Sequence, residues 1–230
     1  MRFLAFFLAP ALAFAAPTES HEKLEWKKDR ALEYLQYLPE RYGDSDTARF
    51  PLVIFLHGAG ERGNDLEKLK KHGPPMVAMK DHGFPFVLAA PQCPPERWWE
   101  PDEVIALTRH LIKTLQIDPK RVHLTGLSMG GFGTWACLAK EPKLYASGVP
   151  ICGGGDPNNA PILKDIPIWA FHGEKDEVVG VIKTREMEEA ILKAGGLKFR
   201  STYYPNEAHE SWIPAYENPA LFAWMMLQTR

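Results

Sequence analysis

Several long apolar stretches in this chain have no polar face. PLVIFLHG at 51–58, FPFVLAAPQ at 84–92, RVHLTGLS at 121–128, ASGVPICGG at 146–154 and IPIWAFHG at 166–173 are nearly continuous apolar runs that break at glycine, proline or serine. A strand exposed on one side alternates apolar with polar residues. A strand without alternation is buried on both faces, as in a parallel sheet covered by helices. LEYLQYL at 32–38 does alternate and reads as an early strand or hairpin arm, and KFRSTYYP at 198–205 reads as the last strand. Helical spacing fills the gaps. Residues 102–116 place Val104, Ile105, Leu107, Leu111, Ile112 and Leu115 on one stripe, with Pro101 and Asp102 suited to a helix start. Residues 180–194 form another helix closed by Gly195-Gly196, and residues 217–228 a final one with Pro219 in its first turn. Strands alternating with helices predict a doubly wound α/β sheet with right-handed crossovers.

One junction in this pattern is unusual. TGLSMGGFGTW at 125–135 surrounds Ser128 with Gly126, Gly130, Gly131 and Gly133. An apolar strand runs into the serine and a helix-compatible segment leaves it, so G-L-S-M-G sits in the strand–turn–helix context of a nucleophile elbow. Side chains two residues before and after the serine would collide in so sharp a turn, and glycine removes them. Gly131 and Gly133 let the following helix pack close to its neighbours. No G-x-x-x-x-G-K-[ST] or G-x-G-x-x-G pattern fits the segment, so a phosphate-binding turn is disfavoured.

A serine hydroxyl needs a base, and the base needs an orienting acid. In chain order the acid and then the histidine follow the serine. Only His172 and His209 lie downstream. His172 sits just before the turning Gly173 and reads as strand-end structure. His209 lies in the polar loop YPNEAHESW and is the candidate base. HGEKDEVV, after the penultimate strand, offers Asp176 as the acid, with Val178 and Val179 able to pin its loop. Glu174 and Glu177 read as solvent-facing, and Asp156 and Asp165 precede that strand. An oxyanion site needs two backbone donors. Met129 N–H supplies one, and LHGAGERGND supplies the other from Ala59, with Gly60 the alternate. His57 reads as an organiser of that loop.

Composition narrows the partners. The chain has 230 residues, 45% hydrophobic and 24% charged, with a net charge of −2. That fits one large globular domain. No basic run argues for nucleic acid, and the mild charge suits a neutral or modestly charged substrate. No H-E-x-x-H or clustered His/Cys spacing argues for a metal, and no cofactor motif occurs. MRFLAFFLAPALAFAAPTES has the form of a secretory signal: Arg2, an apolar stretch from Phe3 to Ala13, and an Ala13-Phe14-Ala15 site with cleavage after Ala15. The expectation is a secreted or periplasmic protein, free of the membrane once residues 1–15 are removed.

LHGAGERGND, APQCP, TGLSMGGFGTW, FHGEKDEVV and AHESW, in this order, resemble the secreted α/β-hydrolase esterases. The likeness is to bacterial carboxylesterases and feruloyl-type esterases of the dienelactone-hydrolase-like group, related to the catalytic domain of prolyl oligopeptidases. It covers about residues 24–230. It implies the α/β-hydrolase fold in a single catalytic domain: a mostly parallel central sheet with helices on both faces. It also implies Ser128, Asp176 and His209 as the triad, and no cofactor or metal. The gating propeller of the oligopeptidases has no room here, which lowers the peptidase reading. Strand order borrowed from the fold separates Cys93 from Cys152 by two strands, too far for a disulfide, so Cys93, Cys137 and Cys152 are all expected unpaired and buried. Gly154 to Asp165 is too short for a sizeable lid, so the cleft should be open to esters on bulky or polymeric substrates. Trp98, Trp99 and Trp212 sit at strand ends facing the cleft and are candidates to stack on a sugar or an aromatic acyl group.

Overall fold

The computed structural model describes residues 18–81 and 83–230; the signal-peptide reading of residues 1–15 lies outside them. In chain order the elements are β1 (Thr18–Lys27), β2 (Arg30–Leu38), β3 (Phe50–Leu56), α1 (Gly73–Lys80), β4 (Val87–Pro91), α2 (Pro101–Thr114), β5 (Ile117–Leu127), α3 (Met129–Lys140), β6 (Ser147–Ile151), α4 (Ala160–Leu163), β7 (Ile168–Gly173), α5 (Ile182–Lys193), β8 (Phe199–Tyr204), α6 (Trp212–Glu217) and α7 (Pro219–Met226). The strands form one eight-stranded sheet in the order β1-β2-β4-β3-β5-β6-β7-β8. β1 and β2 pair antiparallel, and β2 runs antiparallel to β4. From β4 to β8 every pairing is parallel.

The unalternating runs are explained by burial on both faces. Along β3, Leu52, Ile54 and Leu56 join one core, while Val53 and Phe55 join the other. The first core is closed by α2, α3, α4 and α5 through Val104, Leu107, Cys137, Leu138, Leu163 and Met187. The second is closed by α1, α6 and α7 through Ala78, Ala215, Tyr216, Leu221 and Met225. The three cysteines are buried and unpaired; Cys93 follows β4 and Cys152 follows β6, with β3 and β5 between them. Among the described residues no helix is long and apolar enough to cross a membrane.

The structure adds elements that the apolar pattern does not signal. β1 begins at Thr18, ahead of residue 24, and half of its sequence TESHEKLEWK is charged. As the outermost strand it leaves one hydrogen-bonding edge to water, where charge blocks edge-to-edge pairing. A 3₁₀ turn at Leu66–Lys71 and α1 fill the β3–β4 crossover. The expected final helix over 217–228 is α7 (Pro219–Met226), and a separate short helix, α6, precedes it. Asn218 accepts from the Ala220 N–H at 3.0 Å and starts α7 afresh, with Pro219 in its first turn. Between β6 and β7 there is only a 3₁₀ turn at Pro157–Asn159 and the single turn of α4.

The close approach of β3, β5 and α3 depends on bare α-carbons. A Cβ on Gly130 would sit 1.9 Å from the Leu56 carbonyl oxygen, and one on Gly126 would sit 2.4 Å from the Gly130 oxygen. Both obstacles are backbone and cannot swing aside. Gly130→Ala should therefore destabilise the protein by roughly 3 kcal/mol or more, or prevent folding. Gly60→Ala, where nothing lies within 4 Å of the added carbon, should stay within about 0.5 kcal/mol of wild type. Denaturant midpoints of the two variants check this pair of outcomes.

Candidate active site

At the end of β5 the chain turns into α3 through Ser128, whose φ of 52° and ψ of −115° are strained for any residue but glycine. The turn is held by the Ser128 N–H donating to the Ile151 oxygen (2.9 Å) and by the Phe132 N–H donating to the Ser128 oxygen (3.1 Å). Gly131 seats α3 on the end of β6, since a Cβ there would meet the Ile151 oxygen at 2.5 Å. Ser128 Oγ lies 2.9 Å from His209 Nε2, and His209 Nδ1 lies 2.8 Å from Asp176 Oδ2. A carboxylate oxygen can only accept, so Nδ1 carries the proton and Nε2 accepts from the serine hydroxyl. The structure thus brings Ser128, His209 and Asp176 into one hydrogen-bonded chain, with no comparable role for Asp156, Asp165, Glu174 or Glu177.

Asp176 is fixed by its own turn. Its Oδ1 accepts from the N–H groups of Val178 (2.9 Å) and Val179 (2.8 Å). The acid and base loops also touch through backbone. Lys175 N–H donates to the Glu207 oxygen at 3.0 Å, and a Cβ on Gly173 would strike the Ala208 oxygen at 2.2 Å. Gly173, at the end of β7, is therefore what lets the base loop close over the acid.

Met129 opens α3, and Ala59 opens a 3₁₀ turn, Ala59–Glu61, so neither N–H has an intrahelical acceptor. A Cβ on the preceding Gly58 would lie 3.7 Å from Ser128 Cβ, so this loop passes directly against the serine, whereas Gly60 faces open space. The loop is clamped by His57. The Cys93 N–H donates to His57 Nε2 at 2.9 Å, which obliges Nδ1 to carry the proton and donate to the Gly58 oxygen at 2.6 Å. Burial pushes the His57 imidazole down to about 4, so it stays neutral.

The tryptophans differ in role. Trp98 is 60% exposed and stands edge-on to Phe132, with ring centroids 5.9 Å apart. Trp99 is only 6% exposed; its indole N–H donates to the His57 oxygen at 3.0 Å, which makes it a brace for the Gly58–Ala59 loop. Trp212 is also buried and lies edge-on to His209 at 5.3 Å, so it packs the base ring and presents no free face. Beside the elbow is a cavity of about 350 Å³ walled by Trp98, Trp99, Met129, Phe132, Trp135 and Met187, with Asp156 and Asn159 on its polar side. Two groups of residues could offer metal donors among those described. Glu19, His21 and Glu67 are exposed, and Cys152, Asp176 and His209 belong to the chain just described. Burial pushes the Cys152 thiol well up, so it keeps its proton behind the site.

The sequence profile of the prolyl oligopeptidase family matches residues 97–159, which hold the elbow and Trp98. A crystal structure described as a thermostable esterase is 33% identical over 95% of this chain and 64% of its own, with a TM-score of 0.78. The chain has the α/β-hydrolase fold. A bifunctional acetylxylan esterase/xylanase, XynS20E, from Neocallimastix patriciarum is 29% identical over 116 residues, which is 49% of this chain and 16% of that protein. The chain thus spans 16% of the acetylxylan esterase/xylanase and 64% of the thermostable esterase. A ferulic acid esterase shares the fold at 14% identity, covering 92% of this chain and all of its own, with a TM-score of 0.71.

His57 and His123 are both held neutral by burial, His123 being pushed down to about 3. The unfolded chain takes up their protons below about pH 6.5 while the folded chain does not. Their contribution is thus complete above pH 6.5 and is lost as pH falls towards 4. Denaturant midpoints measured between pH 6.5 and 5, above the carboxylate range, should fall by the equivalent of roughly 1 kcal/mol per pH unit for each ring.

Proposed function

We propose that this protein hydrolyses carboxylic esters through an acyl-enzyme on Ser128. The observation that carries this reading is the unbroken hydrogen-bonded chain Ser128–His209–Asp176 at a strained strand–helix turn. As Ser128 Oγ attacks the ester carbonyl carbon, its proton passes to His209 Nε2, and Asp176 steadies the imidazolium through Nδ1–H. The carbonyl oxygen becomes an oxyanion between the N–H groups of Met129 and Ala59. Collapse breaks the carbon–alkoxide bond, and the leaving alkoxide takes the proton from His209. Water, deprotonated by His209, then attacks the acyl carbon; the bond to Ser128 Oγ breaks, Oγ takes the proton back from His209, and the acid leaves.

The surroundings support a substrate class. The cavity beside the elbow suits a short-chain or aryl acyl group, acetyl or feruloyl, with Trp98 exposed at its wall. The absence of a long β6–β7 insertion among the described residues suits an ester carried on a plant polysaccharide. The matched esterases support this direction. Export by the residue 1–15 leader would place the enzyme where such polymers are. The prolyl oligopeptidase match supports a second reading, peptide or amide cleavage by the same residues. An acyl-thioesterase or lysophospholipase would use them too, on longer chains.

A fluorophosphonate probe should label the wild type and not Ser128→Ala; failure to label the wild type overturns the reading. In a panel of acetyl, butyryl, feruloyl and palmitoyl esters with a peptide anilide, turnover should concentrate on the first three. Preference for palmitoyl ester favours the lipid-type enzyme, and preference for the anilide favours the peptidase. Trp98→Ala should raise KM for feruloyl esters more than for acetyl esters, and equal effects on both would remove Trp98 from the acyl site.

A further inference from the structure

His172, which the sequence marks only as the end of a strand, is a buried group that the proposed reaction leaves unused and that lies against its acid. It is fully buried at the end of β7 and its ring is engaged at both nitrogens. Nε2 lies 2.7 Å from the Val179 oxygen and 3.2 Å from Asp176 Oδ2, and both atoms are acceptors. Nε2 must therefore carry the proton. Nδ1 is then the acceptor and takes the hydrogen bond of the Thr184 hydroxyl of α5 across 2.7 Å, the shorter of that hydroxyl's two contacts, the other being the Gly153 oxygen at 3.3 Å. The ring ties β7 to α5 and to the turn that holds the acid. That turn is the one whose Val178 and Val179 N–H groups bind Asp176 Oδ1. The hydrogen bonds to the Asp176 carboxyl come from two backbone amides on Oδ1 and from His209 Nδ1–H on Oδ2, while the His172 Nε2–H, which donates to the Val179 oxygen, turns a positive edge to Oδ2 at 3.2 Å.

We infer that His172 is a positioning residue for the proposed hydrolysis, a second histidine whose Nε2–H edge fixes Asp176 and shares its negative charge with His209. The inference rests on the Ser128–His209–Asp176 reading. Burial lowers the affinity of the His172 ring for a second proton, and a charged His209 would lower it further, so Nδ1 remains free to accept from Thr184. The other groups near this pair do not supply the same charge. Cys152 stays a neutral thiol. Arg185 pairs with Glu174 at 2.8 Å, and Lys183 lies 3.5 Å from Glu186, all on the surface. His72, with Glu210 near it, and His209 both pack edge-on against Trp212, which puts the Trp212 ring in contact with each. Removing the His172 N–H would leave the Oδ2 charge to His209 alone, which favours the imidazolium and makes His209 a base only at higher pH.

The test compares His172→Phe, which removes the donor, with His172→Gln, which restores an N–H near the position of Nε2. His172→Phe should lower kcat about tenfold to a hundredfold, the scale of one charge-assisted hydrogen bond, with KM little changed. It should also move the acid limb of kcat/KM to higher pH, and His172→Gln should return that limb towards wild type. An unmoved limb in His172→Phe, or the same profile for both variants, overturns the inference and leaves a purely structural ring. If His172→Phe does not fold, ring ¹⁵N spectra of the wild type decide the question. A neutral Nε2–H tautomer for His172 from pH 8 to 5.5 is expected, and an Nδ1–H or charged ring refutes it. Fluorophosphonate labelling of wild type at Ser128 separates the two levels: without labelling the hydrolase reading fails, while labelling with an unmoved limb fails only the role of His172.

Discussion

The contact between the Gly130 α-carbon and the Leu56 carbonyl is the constraint from which the rest of the site follows. β3 and β5 are neighbours at the centre of the sheet, and α3 must leave β5 at an angle steep enough to bring its first turn onto the end of β3. Only bare α-carbons at 126 and 130 permit that approach. Ser128 takes up the bend in a conformation that a side chain ordinarily avoids. The strain is offset by backbone hydrogen bonds to β6 and within α3. Because β3 ends where α3 begins, the loop leaving β3 also starts at the serine. Two helical first turns, at Ala59 and Met129, consequently begin beside one hydroxyl.

Around that centre each polar group has a single workable arrangement. His57, His172 and His209 each have one nitrogen facing an obligate donor or hydroxyl and the other facing acceptors, which leaves one proton arrangement for each ring. Burial keeps the His57 and His172 rings from charging. The acid is surrounded by N–H groups and not by an arginine or lysine, so its orientation is set by short, directional contacts inside one turn.

Much of this was legible in the sequence because the elements that matter are extreme. Strands buried on both faces cannot hide as alternating patterns, and a glycine cluster at a strand end marks a backbone forced into close approach. The chain order of serine, acid and histidine then singled out Asp176 and His209. Less legible were elements whose signal is not hydrophobic. β1 is a charged edge held by backbone pairing, and α1 carries two prolines. The different fates of Trp98, Trp99 and Trp212 depend on which face of a short loop each side chain leaves, which sequence position alone does not encode. Gly173 and His172 stand three and four residues before the acid in the sequence, but the role of Gly173 against the base loop is not legible there, since that loop arrives more than thirty residues later.

Gly173 also bears on how the site can fail. Because the acid turn and the base loop share backbone contacts through that α-carbon, they cannot loosen separately: a displacement of one withdraws the support of the other. Local opening would therefore dismantle the proton path as a unit while the elbow, anchored to the centre of the sheet, stayed intact. The serine is thus held by the centre of the sheet, and its acid and base by two loops that meet at the Gly173 α-carbon.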